Sequence, residues 1–193
     1  MSKKSGSEKL YITHYYYPGT DPWKNIMLLP EEEAFRVAGE LAKAHPDTMS
    51  FYRFADFVNY YPSRKRADEF VRQRFTELGG KPELMHPYCF VLGESDYLRQ
   101  WFSDGEKLTL SLDEIPKEQV SFTLGDSCAL LGRGTEPVVL TKDMLLDRIK
   151  EYNGSLDDFL KGSLVGCAYV EVQLWTGAER VKGDKNSDSH NEE

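Results

Sequence analysis

Two patterns of apolar residues divide this chain. Short runs of β-branched and aromatic residues predict strands, and stretches with apolar residues every three or four positions predict helices. The predicted strands are residues 10–17, 49–54, 87–92, 107–112, 120–124 and 164–175. Several of the later strands lie too close together in sequence for crossover helices between them. We therefore expect an α+β fold: a single domain with a mixed, largely antiparallel sheet and three to four packed helices.

Two of the predicted strands end in the same kind of turn. Residues 87–92 lead into Gly93-Glu94-Ser95, and residues 120–124 lead into Gly125-Asp126-Ser127. An apolar run followed by glycine, an acid and serine is typical of a strand that ends in a polar turn. We expect both turns at the same edge of one sheet, and Glu94 and Asp126 are therefore candidate catalytic acids.

A long helix is predicted between Pro62-Ser63, with Ser63 as N-cap, and Gly79-Gly80. With this boundary Arg64 and Arg66 fall in its first turn, where positive charge opposes the helix dipole. Two explanations fit the two arginines: a bound anion offsets that cost, or they lie on a solvated helix face that balances the acidic chain. Arg64 and Arg66 are thus candidate phosphate ligands.

Three further residues complete the predicted ligand-binding set. Arg53 belongs to the same basic segment, residues 53–74, and Tyr61 lies beside the predicted helix start. Alternation in the first strand places His14 and Tyr16 on one face. His14 is either hydrogen-bonded to a backbone carbonyl or a catalytic residue, and Tyr16 would stack on a ligand or bind it by a hydrogen bond.

Charge and composition narrow the class of partner. The net charge of −8 argues against general nucleic-acid binding, which requires a basic face. No apolar run reaches the length of a membrane span and no signal segment is evident, so we expect a cytoplasmic protein of bacterial type with no membrane partner. The three cysteines are expected to be reduced thiols, and neither cysteine nor histidine spacing predicts a metal site. The sequence assigns no cofactor.

The polar ends of the chain predict its domain boundaries. Residues 1–9 are small and polar, and residues 176–193 form an acidic segment without apolar periodicity. We expect both segments to be disordered tails on one domain of residues 10–175.

Two short patterns resemble known enzyme families. Gly125-Asp126-Ser127 resembles the G-D-S opening of a family of small esterases, which implies a serine nucleophile; the only later histidine is His190. His14, Ser121-Phe122-Thr123 and Glu171 are similar in their spread to the basic residue, Ser/Thr strand and catalytic glutamate of ADP-ribosyltransferase-like proteins. That resemblance implies NAD as substrate and Glu171 as a catalytic residue, although the family's common Gln-x-Glu order is inverted here.

These observations leave several functions open, with or without enzymatic activity. The first is the binding, or transformation, of a small anionic, nucleotide-like ligand by the residues named above. The second is a non-enzymatic protein-protein interaction module, in which an acidic surface and an aromatic N-terminal half contact a basic partner. An NAD-using enzyme similar to ADP-ribosyltransferases is a lesser alternative.

Overall fold

The computed structural model describes residues 9–164 and 167–181. The strands are β1 (Tyr11–Tyr16), β2 (Tyr88–Leu92), β3 (Glu106–Ser111), β4 (Val120–Leu124), β5 (Val139–Thr141) and β6 (Val170–Leu174). The α-helices are α1 (Glu31–Ala44), α2 (Met49–Tyr52), α3 (Phe57–Glu77), α4 (Asp96–Trp101), α5 (Ser127–Gly132), α6 (Lys142–Glu151) and α7 (Leu156–Ser163).

The strands form one six-stranded sheet in the order β3-β1-β2-β6-β4-β5. Each of its strand pairs is antiparallel. The predicted α+β single-domain fold is therefore confirmed, and the sheet is antiparallel rather than mixed. No helix in the described ranges is long and apolar enough to cross a membrane.

The two turns predicted to share one edge do lie at the same end of the sheet. Strands β2 and β4 both pair antiparallel with β6, so they run in the same direction. Val91 and Thr123 both pair with Glu171, which places the following Gly93 and Gly125 at the same level. Both glycines have positive φ, a conformation that side-chain-bearing residues rarely adopt, and each turns the chain toward a helix.

One face of the sheet is apolar and carries the main core. Val170, Val172 and Leu174 of β6 point to this face with Phe122 of β4. Helices α6 and α7 cover it, with Phe159 fully buried. This is the alternation of a sheet that buries one face against helices.

The opposite face is polar and is covered by α3. Ser121 and Thr123 of β4 and Glu171 and Gln173 of β6 point toward it, and all four are buried. Alternation alone is also compatible with a solvated face, so the sequence did not predict this burial. Phe75 of α3 stacks on Trp175 at a ring distance of 6.5 Å and closes one end of this face.

The predicted strand at residues 49–54 is wrong. This segment forms α2 and then a 3₁₀ turn, Arg53–Asp56. Phe51, Phe54 and Phe57 recur every third residue, and their rings pack at 5.9 and 5.4 Å from one another. Packing at a helical spacing outweighs the strand preference of aromatic residues here.

The predicted start of the long helix at Pro62-Ser63 is also wrong. Helix α3 begins at Phe57 and contains Pro62 in its interior. The ring removes one backbone donor, but Val58 and Pro62 are both exposed, so water can bond the freed carbonyl of Val58. The predicted end is confirmed, because Gly80 N–H bonds the Phe75 carbonyl at 2.9 Å and Gly79 has positive φ.

The packed body extends beyond residue 175. The Thr176 hydroxyl donates to Glu83 at 2.7 Å, and Val181 packs into the main core after a 3₁₀ turn, Ala178–Arg180. The expected tail therefore does not begin at Thr176. Its remainder, residues 182–193, and residues 1–8 of the expected N-terminal tail lie outside the described residues. So do residues 165–166 of the predicted last strand, which begins at Val170 rather than Leu164.

Candidate functional site

A cleft of about 250 Å³ opens at the end of the sheet where β4 finishes. We call it the arginine cleft. The charged, aromatic and thiol side chains that line it are Arg53, Tyr97, Trp101, Asp126, Arg133, Cys167 and Tyr169. They come from four parts of the chain, so only the folded sheet brings them together.

Local structure fixes the position of each lining residue. The Ser95 hydroxyl caps α4 by accepting the Leu98 N–H at 3.3 Å, and Tyr97 and Trp101 follow one helical turn apart. Asp126 caps α5 by accepting the Ala129 N–H at 2.8 Å. The cleft is therefore built on the two turns that end β2 and β4.

Two guanidinium groups of the cleft have no carboxylate partner. Arg53 lies over the ring of Trp101, with Cζ 4.0 Å from the ring centroid, and Arg133 is exposed just after α5. Within residues 9–164 and 167–181 neither arginine forms an ion pair. Two arginines without an ion-pair partner among the described residues therefore line one cleft, in a chain whose net charge is −8.

The acid of the cleft is already hydrogen-bonded. Asp126 Oδ2 accepts the Tyr169 hydroxyl at 3.0 Å, in addition to the backbone bond at Oδ1. Burial and the neighbouring Asp126 carboxylate raise the pKa of Tyr169 above its ordinary value. Tyr169 therefore stays a neutral donor and holds Asp126 in the wall of the cleft.

Aromatic rings form the rest of the wall. Tyr97 lies 5.7 Å from Trp101 and 6.4 Å from Tyr169 between ring centroids, and 49% of its surface is exposed. The indole Nε1 of Trp101 is buried without a hydrogen-bond partner in the described part of the chain. Tyr97 is thus a half-exposed ring in a cleft that Arg53 and Arg133 also line.

A second charged cluster lies under α3 and is buried. We call it the buried ion cluster, and it comprises Arg64, Asp68, His86 and Glu171. Arg64 Nη2 lies 2.6 Å from Asp68 Oδ1, and Arg64 Nη1 lies 3.1 Å from Glu171 Oε1. His86 Nδ1 lies 2.8 Å from Asp68 Oδ2. Burial opposes the charge of Arg64, but Asp68 and the other anionic neighbours raise its pKa well above the ordinary value, so it remains a cation.

Further polar side chains satisfy Glu171. Gln173 Nε2 donates to Glu171 Oε2 at 3.1 Å and to Thr123 Oγ1 at 2.9 Å. Ser121 Oγ then bonds Gln173 Oε1 at 2.8 Å. The sulfur of Cys89 accepts a hydrogen bond from Arg64 Nη2 at 3.1 Å. Burial raises the pKa of the Cys89 thiol. Such a buried polar network stabilises one arrangement of the core.

One hydrogen bond joins the buried ion cluster to the arginine cleft. Glu171 Oε2 accepts the backbone N–H of Ser127 at 2.8 Å. Ser127 directly follows Asp126, so the carboxylate holds the turn that lines the cleft. Glu171 thereby acts on the cleft through the backbone.

The structure separates the residues that the sequence grouped. Of the predicted site residues, Arg53 and Asp126 line the arginine cleft, whereas Arg64 and Glu171 belong to the buried ion cluster. Arg64 lies in the interior of α3, so the argument from a first-turn dipole does not apply to it. The buried stripe of α3 includes Arg64 and Asp68, a spacing that the sequence does show.

The other predicted residues lie elsewhere. His14 Nδ1 contacts the Cys89 carbonyl at 2.7 Å, and burial lowers its pKa from 6.5. Tyr16 ends β1, where partial burial and Glu106 raise its pKa. Glu94 is exposed and pairs with Lys107 at 2.7 Å. Tyr61 is buried in a small aromatic core with Phe57, and Arg66 is exposed on α3; neither lines the cleft.

Sequence reasoning missed Tyr97, Trp101, Arg133 and Tyr169. The signal for the first two was present, because Ser95 was a recognisable cap and residues 97 and 101 are one turn apart behind it. Arg133 and Tyr169 had no local signal, since α5 was not predicted. Their role depends on the adjacency of β4 and β6.

The arginine cleft presents two guanidinium groups, one carboxylate and aromatic rings. Among the described residues no group of three His, Cys, Asp or Glu side chains is placed to hold a metal ion. Comparisons of the chain with protein-family models, with curated proteins and with solved structures found no match.

Proposed function

We propose that this protein binds a small anionic, nucleotide-like ligand in the arginine cleft. The observation that carries the proposal is the convergence of Arg53 and Arg133, both without a carboxylate partner, on a cleft walled by Tyr97, Trp101 and Tyr169. Guanidinium groups bind phosphate by charge-assisted, bidentate hydrogen bonds, and aromatic faces stack on bases. The proposal uses two of the residues chosen from sequence, Arg53 and Asp126.

A thermal-shift titration tests the proposal. Ligand that binds only the native state stabilises it by about 2.7 kcal/mol at a hundredfold excess over the dissociation constant, so nucleotides should raise the melting temperature. The double variant Arg53→Ala/Arg133→Ala should lose the shift. The matched control is Lys65→Ala/Arg66→Ala, which removes the same charge from exposed positions of α3 and should keep it.

Two results would contradict the proposal. One is the absence of a shift with nucleotides, sugar phosphates and inorganic phosphate alike. The other is a shift that survives in Arg53→Ala/Arg133→Ala at the wild-type ligand concentration. A long-range effect of the net charge alone would be the same in both double variants, because each removes two positive charges, so the control separates it from binding at the cleft.

A second candidate function is a non-enzymatic interaction module with an acidic surface. It is favoured by apolar side chains exposed near the start of α3: Tyr52 is 71% exposed, and Val58 and Met49 are also exposed. Exposed apolar residues of this size are frequent at protein interfaces. If no anion shifts the melting temperature and Tyr52→Ser/Val58→Ser abolishes capture of a basic protein partner without unfolding the chain, this function replaces the first.

A further inference from the structure

The shape and charge of the arginine cleft narrow the class of ligand, on the assumption that the proposed anion binding is correct. We infer that the ligand is a nucleoside monophosphate, with its base on the open face of Tyr97 and its phosphate on Arg53 and Arg133. Three observations support this: the volume of the cleft, its charge, and the position of the exposed ring.

The volume favours one nucleotide. About 250 Å³ lies below the roughly 300–1,000 Å³ of clefts that enclose drug-sized ligands. A dinucleotide such as NAD would extend well outside the walls, and its second half would contribute little to binding. A single nucleotide, which is one base with its sugar and phosphate, is closer to the cleft in size.

The charge favours a single phosphate. The cleft holds two guanidinium groups and the Asp126 carboxylate, which leaves one net positive charge. Tyr169 and the Ala129 N–H bond Asp126 without neutralising it. A triphosphate would place additional negative charge near Asp126, where like charges repel. Each Asp126 oxygen accepts one hydrogen bond from the described residues and can accept a second from a hydroxyl or amino group of the ligand.

The exposed ring provides selectivity for a base over a bare sugar phosphate. Tyr97 stands between Trp101 and Tyr169, yet about half of its surface stays exposed, 49%. Stacking on aromatic side chains tolerates any base, since every base has a π-face. We therefore expect adenine and cytosine monophosphates to bind alike.

Isothermal titration of the full chain with AMP, CMP, ribose 5-phosphate, ATP and NAD tests the inference. AMP and CMP should each bind at least about fivefold more tightly than ribose 5-phosphate, the low end of what one stacked base contributes. ATP and NAD should bind no more tightly than AMP. Tyr97→Leu should lower the affinity for AMP to that for ribose 5-phosphate and leave the latter unchanged, whereas Tyr97→Phe, which keeps the ring, should retain the preference.

The outcomes separate the inference from the proposed function. If ribose 5-phosphate binds as tightly as AMP, and Arg53→Ala/Arg133→Ala abolishes both, the anion site stands and the nucleoside monophosphate is overturned. Tighter binding of NAD or ATP than of AMP also overturns it. If none of the five probes binds, the proposed function fails together with the inference.

Discussion

The arginine cleft and the buried ion cluster place the same residue type in opposite environments. Arg64 is buried and contacts two carboxylates, at 2.6 and 3.1 Å. Arg53 and Arg133 are exposed, and the described residues provide neither of them with an ion-pair partner. The two regions lie on either side of a single turn, Gly125-Asp126-Ser127.

This difference shows how to assign a role to an arginine in an acidic protein. A buried guanidinium must be paired within the protein, because leaving its charge unpaired costs several kcal/mol. Its partners then make it unavailable to a ligand. An exposed guanidinium without a partner is stabilised by water and can exchange that water for a phosphate. Arg64 therefore contributes to the stability of the fold, whereas Arg53 and Arg133 are the arginines on which the proposed function depends.

The largest predicted effect is the loss of Arg64 from the buried ion cluster. Arg64→Ala leaves Glu171 and Asp68 buried without the Arg64 guanidinium, although Asp68 keeps His86, and we expect it to lower the free energy of unfolding by about 3–5 kcal/mol. Urea unfolding followed by circular dichroism measures this change. Arg66→Ala, two residues along the same helix but exposed, should stay within about 0.5 kcal/mol of the wild type. If Arg64→Ala lowers the free energy of unfolding by less than about 1 kcal/mol, Arg64 is not a stabilising residue and does not differ in this respect from the exposed arginines.

A smaller effect is expected at the turn that joins the two regions. Gly125 has φ near +100°, and an added Cβ would lie 2.8 Å from Cys167 Sγ. Gly125→Ala should therefore cost about 1–3 kcal/mol in chemical denaturation, and it should also weaken nucleotide binding because Gly125 lines the cleft.

Gly132→Ala is the matched control for this change. Gly132 is the last residue of α5, and an added Cβ would meet nothing within 4 Å. Alanine there should leave the protein as stable or up to about 1 kcal/mol more stable, because it restricts the unfolded chain. Equal effects of the two substitutions would show that neither the positive φ of Gly125 nor its contact with Cys167 excludes a side chain at this position.

The smallest predicted effect is a pH dependence from His14, which borders the buried ion cluster through the Cys89 carbonyl. Burial lowers the pKa of His14 from 6.5 in the folded protein, so the folded state binds a proton less readily than the unfolded chain. Stability from this group is present above pH 6.5 and is lost as the pH falls through the lower, folded pKa, with a slope of at most about 1.4 kcal/mol per pH unit. Urea unfolding between pH 7.5 and pH 5 measures the slope, and His14→Gln should reduce it. An unchanged slope in that variant would mean that other groups cause the pH dependence.

Local sequence signals predicted much of the fold. The Gly-acid-Ser turns after residues 92 and 124 and the glycines that end α3 were recognisable, because each depends on backbone conformations and hydrogen bonds within a few residues. The sequence also predicted both turns at one edge of the sheet, and this holds because β2 and β4 both pair antiparallel with β6. Asp126 was chosen as a site residue for this reason.

The candidate site depended on contacts that the sequence does not encode locally. The aromatic run at residues 49–54 favours a strand by local preference, but in the fold its rings pack at helical spacing. Pro62 suggested the start of a helix, but it lies on an exposed face of α3, where the helix tolerates the missing hydrogen bond.

By itself, the sequence determined five of the six strands and the two polar turns, and therefore an α+β domain, although it missed β5 and predicted a strand at residues 49–54 that is helical. Only the tertiary structure decided which arginines face a cleft and which are buried. The physical reason is that α3 covers the polar face of β4 and β6, and this burial requires a cation, Arg64, in contact with Asp68 and Glu171, whereas Arg53 and Arg133 remain at the surface.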